Sequence, residues 1–162
     1  MCARIAATLG WGTAVALVAI LATPLAVRAQ VDTQTIRFSG MTQTEPAANP
    51  CTGVPGTFTE TITQGVEHTT SNPDGTYHHS LRITSALTFT PDDPSQPTLT
   101  GTTTFGTEQN VTSKTATLTT AFSGRATGSD GSSLSLHGVS HVPVHAEGTV
   151  TVAFQVERVN CG

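Results

Sequence analysis

Apolar and polar residues alternate through most of the chain after residue 48, which is the period of a β-strand. In the clearest run, the odd positions from Tyr77 to Phe89 are mostly apolar or aromatic, whereas the even positions from His78 to Thr88 are mostly polar. Because successive side chains of a strand point to opposite faces, this run predicts a strand with one buried face and one wet face.

The same period recurs in six further segments, which are separated by glycine, proline, asparagine and aspartate. They are marked by Ile36/Phe38, Phe58/Ile62/Val66, Leu99/Phe105, Leu118/Thr120/Phe122, Leu134/Leu136/Val142/Val144 and Val150/Val152/Phe154/Val156. Asn72-Pro73-Asp74-Gly75 suits a tight turn. Abundant threonine also favours strands over helices. The pattern therefore predicts an all-β antiparallel meander of about seven to eight strands.

The first 29 residues have the features of a secretory signal peptide with an apolar helix. Arg4 precedes an almost wholly apolar stretch, and small residues Val27 and Ala29 occupy the positions that signal peptidase recognises. We expect cleavage after Ala29 and a secreted product, extracellular or periplasmic, without a stable membrane span. The alternative is an uncleaved anchor, since about 20 apolar residues can cross a bilayer.

Removal of that segment leaves an acidic chain of single-domain size. We expect residues 30–48 to form a flexible entry with a first short strand, and residues 49–162 to form one barrel-like domain. Of the seven basic residues, Arg4 and Arg28 leave with the signal, so five basic and eleven acidic residues remain, a formal charge of −6. A clustered basic face is not evident, which argues against nucleic acid and anionic membranes as partners.

Only Cys51 and Cys161 remain after processing. In an oxidising compartment, two cysteines without a CxxC partner predict one structural disulfide. Such a bridge would join the start of the domain to its end and hold the two edges of the sheet near each other. This favours a small barrel, while a two-sheet sandwich stays open as the alternative.

Histidine supplies most of the candidate chemistry, beginning with His137, His141 and His145. On a helix this spacing would suit a metal, but on a strand residues four apart are separated by about 13 Å at 3.3 Å per residue. Two of them therefore cannot bind one zinc ion, whose ligands lie about 2 Å away. The alternation places all three on the outer face as a solvated row.

A second candidate set lies in the first long hairpin. Matching its apolar faces places His68 opposite His79, both pointing inward near Tyr77 and Glu60. Paired residues have Cβ atoms about 4.5–5.5 Å apart, close enough to share a polar ligand or a metal. The alternatives are rim histidines with solvent partners, or a register slip at a glycine bulge near Gly75, which would send one histidine to the other face.

Short motifs in the same region resemble a group of small secreted bacterial proteins of unknown function. The residues that carry the resemblance are Asn49-Pro50-Cys51-Thr52-Gly53, then His68-x-Thr70, then Gly75 with His78 or His79. The match covers about the first third of residues 30–162. The resemblance implies an exported β-barrel-like domain and points to His68 and its partner across the turn, but it implies no catalytic residue.

Two functions are consistent with these features. The first is a secreted binding or structural domain, monomeric or dimeric, with a small-ligand pocket formed by His68, His79, Tyr77 and Glu60. The second is a metal-dependent or acid–base enzyme that uses His68, His79 and Glu60, with zinc or copper as the metal. The chain has no HExxH, GxSxG or phosphate-loop motif, so the first function is preferred and no cofactor is expected.

Overall fold

The computed structural model describes residues 30–145, 149–150 and 154–162. The signal peptide expected over residues 1–29 lies outside the described residues. The strands are β1 (Asp32–Phe38), β2 (Thr42–Ala48), β3 (Pro55–Ser71), β4 (Tyr77–Pro91), β5 (Leu99–Val111), β6 (Thr115–Gly128), β7 (Ser133–His145) and β8 (Phe154–Cys161). No helix occurs in this part of the chain, which confirms the all-β prediction.

All eight strands belong to one antiparallel sheet, in the order β1-β3-β4-β5-β6-β7-β8, with β2 also paired to β3. β1 pairs with the second half of β3 and β2 with its first half, so the two short strands share one edge position. Residues 30–48, expected to contain one short strand, therefore contain two.

Counted across its strands, the sheet has seven positions, because β1 and β2 share one of them. Since this number is odd, it determines whether the two edge strands run in the same or in opposite directions. Strand direction alternates from one position to the next, so β2 and β8, at opposite edges, run the same way. Closure would need a parallel ladder between them, and no such pairing is found among the described strands. The structure is thus a single sheet, not a two-sheet sandwich, and the closed barrel is not confirmed.

The predicted disulfide between Cys51 and Cys161 is present, with Cα atoms 5.9 Å apart. Cys51 lies in the loop between β2 and β3, whereas Cys161 ends β8 at the other edge. In a flat sheet six strand spacings of about 4.8 Å would separate these edges by about 29 Å. The sheet must therefore curl strongly at this end.

We call the end of the sheet that contains the disulfide the disulfide end, and the opposite end the hairpin end, after its turns at residues 72–76 and 112–114. The hydrophobic core lies at the disulfide end. It consists of Leu87, Phe89, Leu99, Ala126 and Leu134, with Ala47, Phe58 and Leu136 packed against it. Because these residues come from strands β2 to β7, the face that carries them is the concave, inner face.

A β-bulge in β3 changes the register of the first long hairpin. Ile62 pairs with Ser85, as the apolar pattern predicts, but Gln64 pairs with Thr84, so Thr63 is inserted as an extra residue. The bulge lies where the edge passes from β1 to β2, and there the backbone of Ile62 bonds to Gly40 and Met41. Every β3 residue after the bulge has its facing reversed relative to the alternation before it.

The tight turn predicted at residues 72–75 is present. Gly75 has a φ of 82°, a conformation that glycine adopts without strain. The Asp74 carboxylate accepts hydrogen bonds from the Thr76 backbone N–H at 2.9 Å and from its hydroxyl at 2.7 Å. These bonds stabilise the ionised form and hold the pKa of Asp74 below its ordinary value.

In the last strand, β8, the side chains do not face the way that the alternating pattern predicts. Val156 pairs with Val139, on the outer face, whereas Val159 pairs with Leu136 and lies on the inner face. Both valines are about two-fifths exposed, so burial of apolar side chains at this edge contributes little to stability.

Within the described residues there is no helix of the length and apolarity needed to span a bilayer.

We predict that the Cys51→Ser/Cys161→Ser variant loses about 2–5 kcal/mol of unfolding free energy, since a cross-link restricts the unfolded chain most when it closes a long loop. The bridge spans a sequence separation of 110 residues. Urea unfolding followed by circular dichroism measures the loss. A variant within about 0.5 kcal/mol of the parent, a change typical of neutral surface substitutions, would contradict this role for the disulfide.

Two glycines of β5 test how closely this strand approaches its neighbours in the sheet. A Cβ at Gly101 would collide with the backbone carbonyl oxygen of Arg125 on β6, whereas one at Gly106 would meet only the Leu81 oxygen at 3.8 Å. We expect Gly101→Ala to lower the free energy of unfolding by about 1–3 kcal/mol, the usual cost of overpacking. Gly106→Ala, the matched control, should be neutral or raise it by about 0.5 kcal/mol. Equal urea midpoints would contradict the expectation.

Candidate functional site

The inner face at the hairpin end brings together Tyr77 and His79, as the alternation predicts. His79 pairs with Thr69 on β3 and with Gln109 on β5, so it lies in the middle of the sheet. The rings of Tyr77 and His79 are nearly parallel, with an interplanar angle of 8° and centroids 6.3 Å apart. The two residues thus form one aromatic surface.

Glu67 joins this group, although sequence reasoning did not select it. Its Oε1 lies 2.9 Å from Nε2 of His79, and the two side chains are 37% and 19% exposed. An ionised carboxylate only accepts hydrogen bonds, so Nε2–H of the imidazole is the donor. In the neutral ring, Nδ1 then carries the lone pair and can accept a hydrogen bond or a proton. Nδ1 of His79 is therefore a polar atom of the site that is available to a ligand.

His68 does not take part, because the expected pairing of His68 with His79 is wrong. After the bulge, His68 pairs with Ser80 and His79 pairs with Thr69, so the two histidines lie on opposite faces. Nδ1 of His68 contacts the Thr35 hydroxyl at 2.9 Å, and its Nε2 contacts the Thr70 hydroxyl at 3.3 Å. The slip that the sequence placed near Gly75 occurs instead at Thr63.

Glu60 is on the inner face as expected, but it lies far from the aromatic pair. It pairs with Leu87, eight residues from His79 on the same strand, a distance of about 26 Å at 3.3 Å per residue. Its carboxylate accepts hydrogen bonds from Gln43 at 2.8 Å and from Thr103 at 3.0 Å. Glu60 therefore connects β2, β3 and β5 beside the core residue Leu87, and it is separate from the His79 site.

The predicted row of His137, His141 and His145 is on the outer face, since all three alternate with the inward Leu134 and Leu136. Nδ1 of His141 lies 2.7 Å from the Thr119 hydroxyl. Within the described residues, no group of three or more His, Cys, Asp or Glu side chains is arranged to hold a metal ion. His68 and His79, the pair considered for zinc or copper, cannot share an ion across the sheet.

Accessibility differs strongly between the two ends of the inner face. At the disulfide end Leu87 and Leu99 are 7% and 4% exposed, whereas Phe105 and Leu118, further along the same face, are 38% and 44% exposed. Leu118 pairs with Gln109, which in turn pairs with His79, so these residues form one row across three strands. The site thus combines exposed apolar groups with the Glu67–His79 pair on the inner face of the sheet.

No family model, curated protein or solved structure matches this chain.

The first of the short sequence motifs has a clear structural role. In the Asn49-Pro50-Cys51-Thr52-Gly53 loop, the Asn49 side chain accepts a hydrogen bond from the Cys51 N–H at 2.9 Å, and the Gly53 N–H bonds to the Asn49 carbonyl at 2.8 Å. This loop holds Cys51 in place for the disulfide.

The hydrogen bonds predict opposite tautomers for two adjacent histidines. Nδ1 of His78 lies 2.6 Å from the Asn110 side-chain oxygen on the outer face, so neutral His78 should carry its proton on Nδ1. Neutral His79 should carry it on Nε2, because Nε2 faces the Glu67 carboxylate. Long-range proton–nitrogen NMR spectra distinguish the two forms. The same tautomer at both positions, or no change at His79 in Glu67→Ala, would contradict the geometry.

Proposed function

We propose that this protein is an exported binding module that holds a small ligand with an aromatic ring and a polar group. The ligand occupies the inner face of the sheet at the hairpin end. The observation that carries the proposal is the accessibility of this face: Phe105 and Leu118 are exposed there, whereas the same face is filled by the core at the disulfide end. Ligand sites are typically concave, apolar and equipped with a few fixed polar groups.

The chemistry of the ligand follows from the side chains around it. Tyr77 and His79 offer ring surfaces, and aromatic rings stack favourably on such surfaces. Nδ1 of His79 has no hydrogen-bond partner among the described residues, so it is free to accept a hydrogen bond from the ligand. Gln109, directly opposite His79, adds an amide that both donates and accepts.

Export is part of the proposal. Its support is the apolar segment within residues 1–29 and the disulfide, which is consistent with an oxidising compartment. Disulfides persist in oxidising compartments and are rare in the reducing cytosol. Intact mass of the exported protein tests this step, because cleavage after Ala29 and the loss of two hydrogens both change the mass.

Acid–base catalysis is a second candidate, and the Glu67–His79 pair is the observation that favours it. A carboxylate that fixes the tautomer of a histidine is the arrangement by which enzymes prepare a general base. The set first considered for this role, His68, His79 and Glu60, is not brought together, so His79 with Glu67 is the remaining pair. A binding module returns its ligand unchanged, whereas an enzyme converts it.

Indole and phenol are suitable probes, and NMR titration of the isotopically labelled protein measures their binding. We expect saturable shifts at Tyr77, Phe105 and Leu118. His79→Ala should weaken binding by about tenfold, the effect of losing one hydrogen bond and its ring contact. His78→Ala is the matched control, since the adjacent residue lies on the outer face and its replacement should leave the affinity unchanged.

Two results would overturn the binding proposal. One is the absence of saturable shifts on the inner face with either probe, and the other is an equal effect of His78→Ala and His79→Ala. The spectra of the probes after prolonged incubation separate the two functions: unchanged probes with measurable affinity favour binding, and new resonances favour catalysis.

A further inference from the structure

The outer face of the sheet carries a depression of about 420 Å³ that the binding proposal does not use. Its walls are outward side chains of three adjacent strands: Thr102 and Thr104 on β5, Ser123 and Arg125 on β6, and Ser135 and His137 on β7. Its floor is the backbone of the intervening residues. All six of these side chains carry a hydrogen-bond donor, and none carries a carboxylate.

Two arginines lie in this region: Arg125 is in the wall of the depression, and Arg158 is on β8, the strand beside it. Arg125 pairs with Ser135, and Arg158 on β8 pairs with His137, so the backbone positions of Ser135 and His137 on β7 lie between those of the two arginines. Two strand spacings and a two-residue step along the strand place the arginine Cα atoms about 12 Å apart. Two extended arginine side chains can therefore reach one anion seated over Ser135 and His137.

The side chains of the two arginines and of His137 have no partners among the described residues. Within the described residues the only ion pair joins His79 to Glu67, and no hydrogen bond involves the side chains of Arg125, Arg158 or His137. The neighbouring outward positions, at residues 100–106, 121–127, 133–139 and 156–160 of the described strands, contain no carboxylate. In a chain of net negative charge, this is a local concentration of unpaired positive charge.

We propose that this depression binds an oxyanion, meaning a sulfate, phosphate or carboxylate group. Arg125 and Arg158 supply charged donors, since the planar guanidinium group matches the paired oxygens of such anions. His137 and the hydroxyls of Thr102 and Ser135 supply further donors. The hydroxyl-rich walls accommodate either a free ion or an anionic group carried on a sugar. The site is independent of the inner-face site, because the sheet separates them.

NMR titration of the exported protein at constant ionic strength tests the proposal with inorganic sulfate, inorganic phosphate and glucose 6-phosphate, with glucose as the neutral control. We expect saturable shifts of the backbone amides of Thr102, Ser123 and Ser135. Tighter binding of glucose 6-phosphate than of phosphate identifies a sugar-borne anion, and equal binding identifies the free ion. No saturation with any anion overturns the proposal.

Variants that each remove one positive charge separate a built site from general attraction. Arg125→Gln and Arg158→Gln should each weaken anion binding by about tenfold, the usual effect of losing a charge-assisted hydrogen bond. Lys114→Gln is the control, because Lys114 lies in the β5–β6 turn at the hairpin end and its loss should change the affinity by less than about twofold in physiological salt.

An equal effect of Lys114→Gln would overturn the proposal, because it would show attraction by net charge alone. Circular dichroism of each variant checks that the sheet is intact. If a glutamine variant fails to fold, the corresponding Arg→Lys variant keeps the charge and removes the paired donors. That variant should still bind the anion more weakly than the parent, and parental affinity would contradict a role for the guanidinium group.

Discussion

The covalent link between the two edges of the sheet is the constraint on which the remaining structure depends. A seven-position sheet with edges that run in the same direction is not closed by an antiparallel ladder, and no hydrogen bonding between the described strands joins β2 to β8. The Cys51–Cys161 bridge does so at one end. Curling at that end turns the inner faces of β2 to β7 towards one another and makes a hydrophobic core possible.

The same constraint explains why the inner face differs along its length. Near the bridge, Leu87, Phe89 and Leu99 bury one another, whereas Phe105 and Leu118 lie further from it and stay exposed. A single core of this size cannot fill a sheet whose central strands run from 13 to 17 residues. The surplus length forms the accessible surface on which Tyr77, His79 and Glu67 meet.

The β3 bulge decides which polar groups face this surface. Before Thr63 the odd-numbered residues of β3 face outward, and after it the even-numbered residues do. Glu67 therefore faces inward and His68 faces outward. One inserted residue therefore exchanges a histidine–histidine pair for a carboxylate–histidine pair. The bulge coincides with the step from β1 to β2, where the backbone of Ile62 bonds to Gly40 and Met41. Its position is thus set by the edge strands and not by the hairpin turn.

The strand content, the facing of Tyr77 to Phe89, the outward histidine row and the pairing of the two cysteines could all be predicted from the amino-acid sequence, because alternation and a count of thiols need no knowledge of the fold. The outward facing of His68 and the inclusion of Glu67 followed only from the folded structure. Each of these depends on register, and register depends on the partner strand. The folded structure also decided that the described strands curl without a ladder between the two edges, because closure depends on the relative direction of strands that are far apart in the sequence.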